Sequence, residues 1–255
     1  MAERKPEMKP ERSTRHPAAD LQRPVGERVE AILGWLERTG TKRDREGMAR
    51  YGIPSNKAFG VPVGTLQKKA KELGRSHELA LALWATDRYE ARMLAVFVDE
   101  PGRVTAAQMD RWCRDFDSWA ICDTACLHLF DRTPFAWDKV AQWSRRRDEF
   151  VRRAAFALLA ALAVHDKRAG DQPFARTFVL IERAADDERN FVKKGVNWAL
   201  RAIGGRSHAL NAEATAVAKR LAASGVASAR WVGKDALRQL DSAATRKRIE
   251  ARKRA

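Results

Sequence analysis

A tryptophan and an aspartate four residues apart, Trp119 and Asp123, lie in the otherwise apolar stretch 116–130. If that stretch is helical, the spacing places both side chains on one helix face, one turn apart. A carboxylate among apolar residues costs free energy to desolvate unless a cation or hydrogen-bond donors compensate. We therefore expect Asp123 to be capped, paired with a cation, or kept for chemistry, and these residues alone leave the three open.

Three cations occupy corresponding positions in three of the helix-forming runs. Arg92, Arg153 and Lys194 each lie three residues after an aromatic residue that opens a helix-forming run. Cations near a helix N-terminus oppose the helix dipole, so helix stability does not explain them. Phosphate groups are the partners they suit best. The alternative is that their long stems pack over neighbouring helices while the charges stay solvated.

Two tryptophans could face the same surface as these cations. Trp198 lies four residues after Lys194 and so shares its helical face, and Trp119 lies four residues before Asp123. Ordinary core packing is an equal alternative for both, because aromatic side chains dominate protein cores. Core or repeat-interface positions are predicted for five other tryptophans: Trp35, Trp84, Trp112, Trp137 and Trp143.

The charge balance of the chain is strongly basic. Its 255 residues contain 49 Lys and Arg against 33 Asp and Glu, a formal net charge of +16. Such an excess favours a polyanionic partner, with nucleic acid first and an anionic membrane surface second. A merely solubilising surface is the alternative.

Cysteine usage and hydropathy point to a cytoplasmic protein. Cys113, Cys122 and Cys126 lie close together without partners elsewhere, which suits reduced thiols better than disulfides. No CxxC or paired histidine lies near them, so neither a metal nor a cofactor is expected. The sequence has no apolar run long enough to span a bilayer.

The periodicity of the chain predicts an all-α fold. Apolar residues recur at helical spacing between short polar breaks, without sustained alternation. Helical runs that open with or just before an aromatic residue begin near positions 89, 119, 150, 191 and 228, at intervals of about 30, 31, 41 and 37 residues. Such intervals are typical of solenoids of paired helices.

Composition divides the chain into three parts. Residues 1–23 are charged and nearly free of large apolar side chains, which predicts a disordered N-terminal arm. Residues 24–242 form the repeat domain. Residues 243–255 are a basic C-terminal tail that would add sequence-independent phosphate affinity, or alternatively a frayed helix end.

Several motifs, in this order, resemble one family. They are Met48-Ala49-Arg50-Tyr51, the Phe59-Gly60-Val61 loop, Ser118-Trp119-Ala120-Ile121-Cys122-Asp123, Phe150-Val151-Arg152-Arg153-Ala154-Ala155, the run from Phe191 to Arg201, and Lys234-Asp235-Ala236-Leu237. Together they are similar to the AlkD-type DNA alkylation repair glycosylases, over about residues 28–240. The order and combination carry the resemblance, because each motif alone is common.

The resemblance implies a HEAT-like repeat solenoid with a concave basic face that wraps duplex DNA as a monomer. It implies hydrolysis of the N-glycosidic bond of positively charged N3- or N7-alkylated purines, with the lesion left in the base stack. Asp123 would be the catalytic carboxylate, Trp119 and Trp198 the walls against the sugar, and Arg153 a phosphate clamp. Further DNA contacts are expected from Arg50, Tyr51, Arg92, Arg152, Phe191, Lys193 and Lys194.

The sequence departs from the family pattern at two places. Ser118 stands where some relatives have an aromatic residue, and Asn190-Phe191 stands where they have paired aromatics. The preference for a particular lesion and the contacts with DNA can therefore differ from those of the relatives. Two other functions remain as alternatives: a non-catalytic HEAT-like scaffold for damaged or branched DNA, and a solenoid that binds RNA or an acidic protein.

Overall fold

A computed structural model describes residues 23–253, so the predicted N-terminal arm lies outside the described residues except for Arg23. All regular secondary structure in this range is α-helix or 3-10 helix, and no strand occurs in it, which confirms the all-α prediction. No helix in the described range is both long and apolar enough to cross a membrane.

Short loops separate the helices. The α-helices are α1 (Val25–Thr39), α2 (Lys42–Gly47), α3 (Val63–Leu73), α4 (His77–Ala85), α5 (Tyr89–Val98), α6 (Ala106–Arg114), α7 (Trp119–His128), α8 (Ala136–Trp143), α9 (Glu149–His165), α10 (Asp171–Ala175), α11 (Phe178–Ala184), α12 (Asn190–Gly204), α13 (His208–Ala222), α14 (Ala227–Leu240) and α15 (Ala243–Lys253). Two 3-10 helices occupy Met48–Tyr51 and Phe130–Arg132.

The helices stack as consecutive pairs. Helix α4 packs on α5, α8 on α9, and α13 on α14, while the second helices α5, α7, α9, α12 and α14 each contact the next in that series. We call these five helices the second-helix layer. Each begins within one residue of a repeat start predicted from the sequence, so the repeat prediction is confirmed.

Helix α9 is the centre of the core. Its residues 154–161 are fully buried, and the alanines among them allow neighbouring helices to approach closely. From α7, the thiols of Cys122 and Cys126 donate to the carbonyls of Phe150 and Ala154 at 3.7 and 3.5 Å. Burial raises the pKa of the Cys126 thiol, which keeps it protonated.

Residues 243–253 of the predicted basic tail form a helix, α15, that packs on the repeats. In α15, Ile249 is buried, and Arg252 donates to the carbonyls of Ala163 and Val164 at the C-terminal end of α9. The last carbonyls of a helix have no partner within it, and α15 supplies one. Arg252 therefore lies at the end of α9 away from Arg153, roughly 15 Å along the axis at 1.5 Å per residue.

Candidate functional site

Asp123 and Trp119 lie in the first two turns of α7, as their spacing predicts. Trp119 is the first residue of the helix and is half-buried, and Asp123 follows one turn later with its side chain 15% exposed. A carboxylate so nearly buried needs a partner.

Arg153, in the first turn and a half of α9, is that partner. It donates to Asp123 through Nε (2.9 Å to Oδ1) and Nη2 (2.7 Å to Oδ2), a two-point pairing. Its Nη1 donates to the carbonyl of Phe191, on α12, at 2.7 Å. One guanidinium thus joins three neighbouring helices of the second-helix layer.

Burial and the ion pair act in opposite directions on the carboxyl group. Burial raises the pKa of Asp123 above its ordinary value, and the Arg153 charge and hydrogen bonds offset part of that rise. For Arg153, burial alone would lower the pKa, but Asp123 outweighs it and raises the pKa of the guanidinium. The arginine is therefore charged at any physiological pH, and Asp123 accepts a proton more readily than an exposed aspartate does.

The N-terminal part of the chain reaches this site through its backbone. The indole Nε1 of Trp119 donates to the carbonyl of Tyr51 at 2.8 Å, across 68 residues of sequence. Gly52 follows with a left-handed φ of 67°, and a Cβ there would lie 3.3 Å from the ring of Phe191. The 3-10 helix Met48–Tyr51 is thus held against both α7 and α12.

A buried glutamate anchors the loop that supports this segment. Both carboxylate oxygens of Glu90, on α5, accept backbone N–H bonds, from Phe59 at 2.9 Å and from Gly60 and Val61 at 2.7 and 3.1 Å. The carbonyl of Gly60 in turn accepts from the Thr41 N–H, just before α2. A Cβ on Gly60 would lie 2.3 Å from the Thr41 carbonyl oxygen, so this approach requires glycine.

Residues 50–52 and the helices α7, α9 and α12 line an open cavity of about 530 Å³. Its lining residues are Arg50, Tyr51, Gly52, Trp119, Asp123, Arg153, Asn190, Phe191 and Lys194. Asp123 is the only carboxylate in that lining, against three cations, of which Arg50 and Lys194 are exposed. A cavity of this size, with aromatic walls and one carboxylate, can hold a cationic ring system beside a phosphate.

Another cavity, of about 330 Å³, is lined by Lys71, Arg75, Phe97 and His128 among others, and no carboxylate lines it. Within residues 23–253, no group of three His, Cys, Asp or Glu side chains is arranged to hold a metal ion. The Asp123 cavity combines a carboxylate with two exposed cations and aromatic walls.

Two of the arginines predicted to contact DNA, Arg92 and Arg152, form ion pairs within the protein. Arg92 is 9% exposed, pairs with Asp87 at 2.8 Å and lies over the Trp84 ring, 5.2 Å from its centroid. Arg152 pairs with the buried Asp187 at 2.9 Å. Each lies near the start of its helix and reaches an aspartate in a loop, and a buried cation takes a partner wherever one is within reach.

Trp198 and Lys193, both on α12, also lie outside the cavity. Trp198 is half-buried against the core and does not line the cavity with Trp119. It shares the helix face of Lys194 but lies one turn, about 6 Å, further along the axis. The Nζ of Lys193 lies 5.1 Å from the centre of the Trp231 ring, on α14.

Three further residues of the site had only weak signals in the sequence. Gly52 and Asn190 line the cavity, and Glu90 positions the loop behind it. The glycines at 52 and 60 mark breaks in helical pattern, which predicts a turn but not which helix the turn will contact.

Comparison with solved structures places the fold among repeat proteins. A structure described as belonging to "a new family of proteins related to the HEAT-like repeat DNA glycosylases with affinity for branched DNA structures" superposes with a TM-score of 0.70 at 19% identity, covering 83% of this chain and 95% of the other. That likeness confirms the HEAT-like fold.

A designed armadillo repeat protein in complex with a (KR)4 peptide matches at a TM-score of 0.40 and 14% identity, covering 88% of this chain and 98% of the other, which is too low to support an argument. No curated protein sequence matches the chain significantly. The model of the family described as "DNA alkylation repair enzyme" matches residues 32–246, most of the chain and all of the cavity lining. The chain therefore belongs to the DNA alkylation repair enzyme family.

Proposed function

We propose that the protein is a monofunctional DNA glycosylase that releases N3- and N7-alkylated purines from duplex DNA. The observation that carries this proposal is the Asp123 carboxylate, held by Arg153 on the wall of a cavity that it shares with Trp119 and two exposed cations. Membership of a DNA alkylation repair family supports it. The lesion is taken to stay in the base stack, as the family resemblance implies.

Alkylation at N3 or N7 gives the purine a positive charge, so the base is already an activated leaving group. When the C1′–N9 bond of a 7-alkylguanine breaks, its electron pair stays with the base, which leaves as a neutral purine. The deoxyribose becomes oxocarbenium-like, water adds to C1′, and that water loses a proton. An ionised Asp123 stabilises the positive sugar and accepts a hydrogen bond from the attacking water.

The other side chains of the cavity have separate roles in this proposal. The faces of Trp119 and Tyr51 attract the cationic sugar and base, at roughly 0.5–2 kcal/mol each. Arg153 acts mainly on Asp123, because its Nε, Nη1 and Nη2 already donate to protein acceptors. Lys194 and Arg50 are exposed and suit the flanking phosphates better.

A non-catalytic DNA-binding role is the second candidate. It is favoured by the fact that both oxygens of Asp123 are already bound by Arg153, which leaves fewer lone pairs for water. A related structure is described as having affinity for branched DNA. This role predicts tight binding to DNA without release of any base.

Base release from a duplex containing 7-methylguanine tests the proposal. We expect the wild type to release free base, and Asp123→Asn to lose about a hundredfold or more of that rate while still binding the duplex. Asp138→Asn is the matched control, because Asp138 is an exposed aspartate on α8 outside the cavity. Undiminished release by folded Asp123→Asn, checked by its melting temperature, would contradict the role of Asp123. Absence of release by the wild type would favour the second candidate.

A further inference from the structure

An exposed tryptophan lies one helix beyond the cavity. Trp231, on α14, keeps 38% of its surface exposed, and no other tryptophan in the described range is among the exposed large apolar side chains. The Nζ of Lys193 lies over its ring, 5.1 Å from the centroid. Lys234, three residues after Trp231 and so on the same helix face, is exposed as well.

The position of Trp231 is fixed by the packing of α14. The buried side chain of Asn197, on α12, donates to the carbonyl of Val232 at 3.1 Å, which sets how far α14 is shifted along α12. On the opposite side, a Cβ on Gly233 would lie 2.3 Å from the backbone nitrogen of Ala222, so α14 lies directly against α13. Trp231 is therefore held exposed by a rigid scaffold and not by a loose helix end.

This surface continues from the cavity. Lys194 lines the cavity, and its neighbour Lys193 lies over Trp231. Packed helices lie about 8–10 Å apart, and nucleotides follow one another at about 3.4 Å along a duplex strand. A strand that passes the cavity would reach Trp231 roughly three nucleotides from the lesion.

We infer that Trp231, Lys193 and Lys234 form a stacking platform for an unpaired nucleobase of the DNA strand beside the lesion. Within a duplex both faces of each base are covered by its neighbours, so the exposed indole suits a base that has already left the stack. The two lysines supply the charge for the adjoining phosphates, and stacking on an aromatic ring accepts any base. The inference rests on the DNA-binding part of the proposed function and not on its catalytic step.

Binding to two matched DNAs tests the inference. One is a plain duplex containing 7-methylguanine, and the other carries in addition a short single-stranded flap three nucleotides from the lesion, made in both polarities. We expect Trp231→Ala to weaken binding to a flapped DNA about tenfold, the scale of one base stacked on an aromatic ring, and to change plain-duplex binding less than about twofold. Trp231→Phe, which keeps an aromatic ring, should retain most of the preference.

Val179→Ala removes another exposed apolar side chain, on α11, and serves as the control. Equal weakening on both DNAs would overturn the inference, because it would mean a general duplex contact. No weakening on either would also overturn it and leave Trp231 as a partner of Lys193 alone. Base release separates the two proposals: loss of flap preference with unchanged release in Trp231→Ala supports the platform, whatever Asp123→Asn shows.

Discussion

Arg153 donates to both carboxylate oxygens of Asp123, at 2.9 and 2.7 Å, and so joins α9 to α7 at the wall of the cavity. The pair fixes the direction of the carboxylate and opposes the rise in pKa that burial causes. Each partner depends on the other, because a buried charge that loses its partner costs about 3–5 kcal/mol.

The pair predicts the pH dependence of base release. Because burial raises the pKa of Asp123, the carboxyl takes up its proton at a higher pH than an exposed aspartate, whose pKa is about 3.9. Release requires the ionised form, so its rate should fall as pH decreases through this raised pKa. A profile of kcat/KM against pH measures that acid limb. An acid limb at or below the ordinary aspartate value would contradict the prediction.

Arg153→Lys should shift that acid limb to higher pH. Lysine keeps the charge but cannot donate to both oxygens, so the carboxylate is less stabilised and the pKa of Asp123 rises further. We expect a loss of about 1.5–3 kcal/mol in stability from the lost charged hydrogen bond. Arg152→Lys is the control, since Arg152 pairs with Asp187 and should leave the acid limb in place.

Trp119→Phe tests the contact between α7 and the N-terminal segment. The variant keeps an aromatic wall but cannot donate to the Tyr51 carbonyl. A hydrogen bond is worth about 0.5–1.5 kcal/mol net, so we expect kcat/KM to fall about threefold to tenfold and the amides of residues 48–52 to exchange faster. Trp137→Phe, outside the cavity, should change neither. Unchanged exchange at 48–52 would show that the bond does not hold the segment.

Glu90→Gln should destabilise the protein although the shape of the side chain is nearly kept. Three backbone N–H groups point at the carboxylate, and the amide would turn an NH2 donor toward some of them. We expect a loss of about 2–3 kcal/mol, seen as a lower melting temperature, and weaker base release because the loop supports Tyr51. Glu30→Gln, at an exposed position on α1, is the control. A melting temperature equal to that of the wild type would contradict the anchoring role.

Lys194→Ala should weaken DNA binding without regard to sequence. Lys194 is exposed in the cavity lining, whereas Arg92 of the same repeat position is paired inside the protein. Loss of one phosphate contact should reduce the slope of log K against log salt by about 0.9. Lys68→Ala, exposed on α3 and outside the cavity, should leave the slope unchanged. An equal slope for wild type and Lys194→Ala would remove Lys194 from the phosphate contacts.

The features that the sequence predicts correctly are local ones. Helical periodicity depends on residues within a few positions of one another, so the all-α class and the starts of the repeats follow from the chain itself. The spacing of Trp119 and Asp123 likewise needs only one turn of helix. The burial of Cys122 and Cys126 follows from the apolar stretch 116–130 in which they lie.

The partner that each basic side chain contacts is not determined by its neighbours in the sequence. Arg92, Arg153 and Lys194 share one position in the repeat, yet the first pairs with Asp87, the second with Asp123, and the third is exposed. What distinguishes them is the acid that the adjoining loop or helix brings within reach, and the repeat pattern carries no information about that. The sequence predicts a basic concave face. These ion pairs leave fewer cations available to form it.

By itself the sequence determined a basic, all-helical chain of stacked pairs. It also determined that an aromatic residue and an acid, Trp119 and Asp123, lie one turn apart in the second repeat. Only the tertiary structure decided which cation pairs with that acid, and that the carbonyl of Tyr51 accepts a hydrogen bond from Trp119, 68 residues away. The reason is physical: a helix forms from contacts within a few residues, whereas a buried charge is stabilised by whichever distant partner the packed helices place beside it.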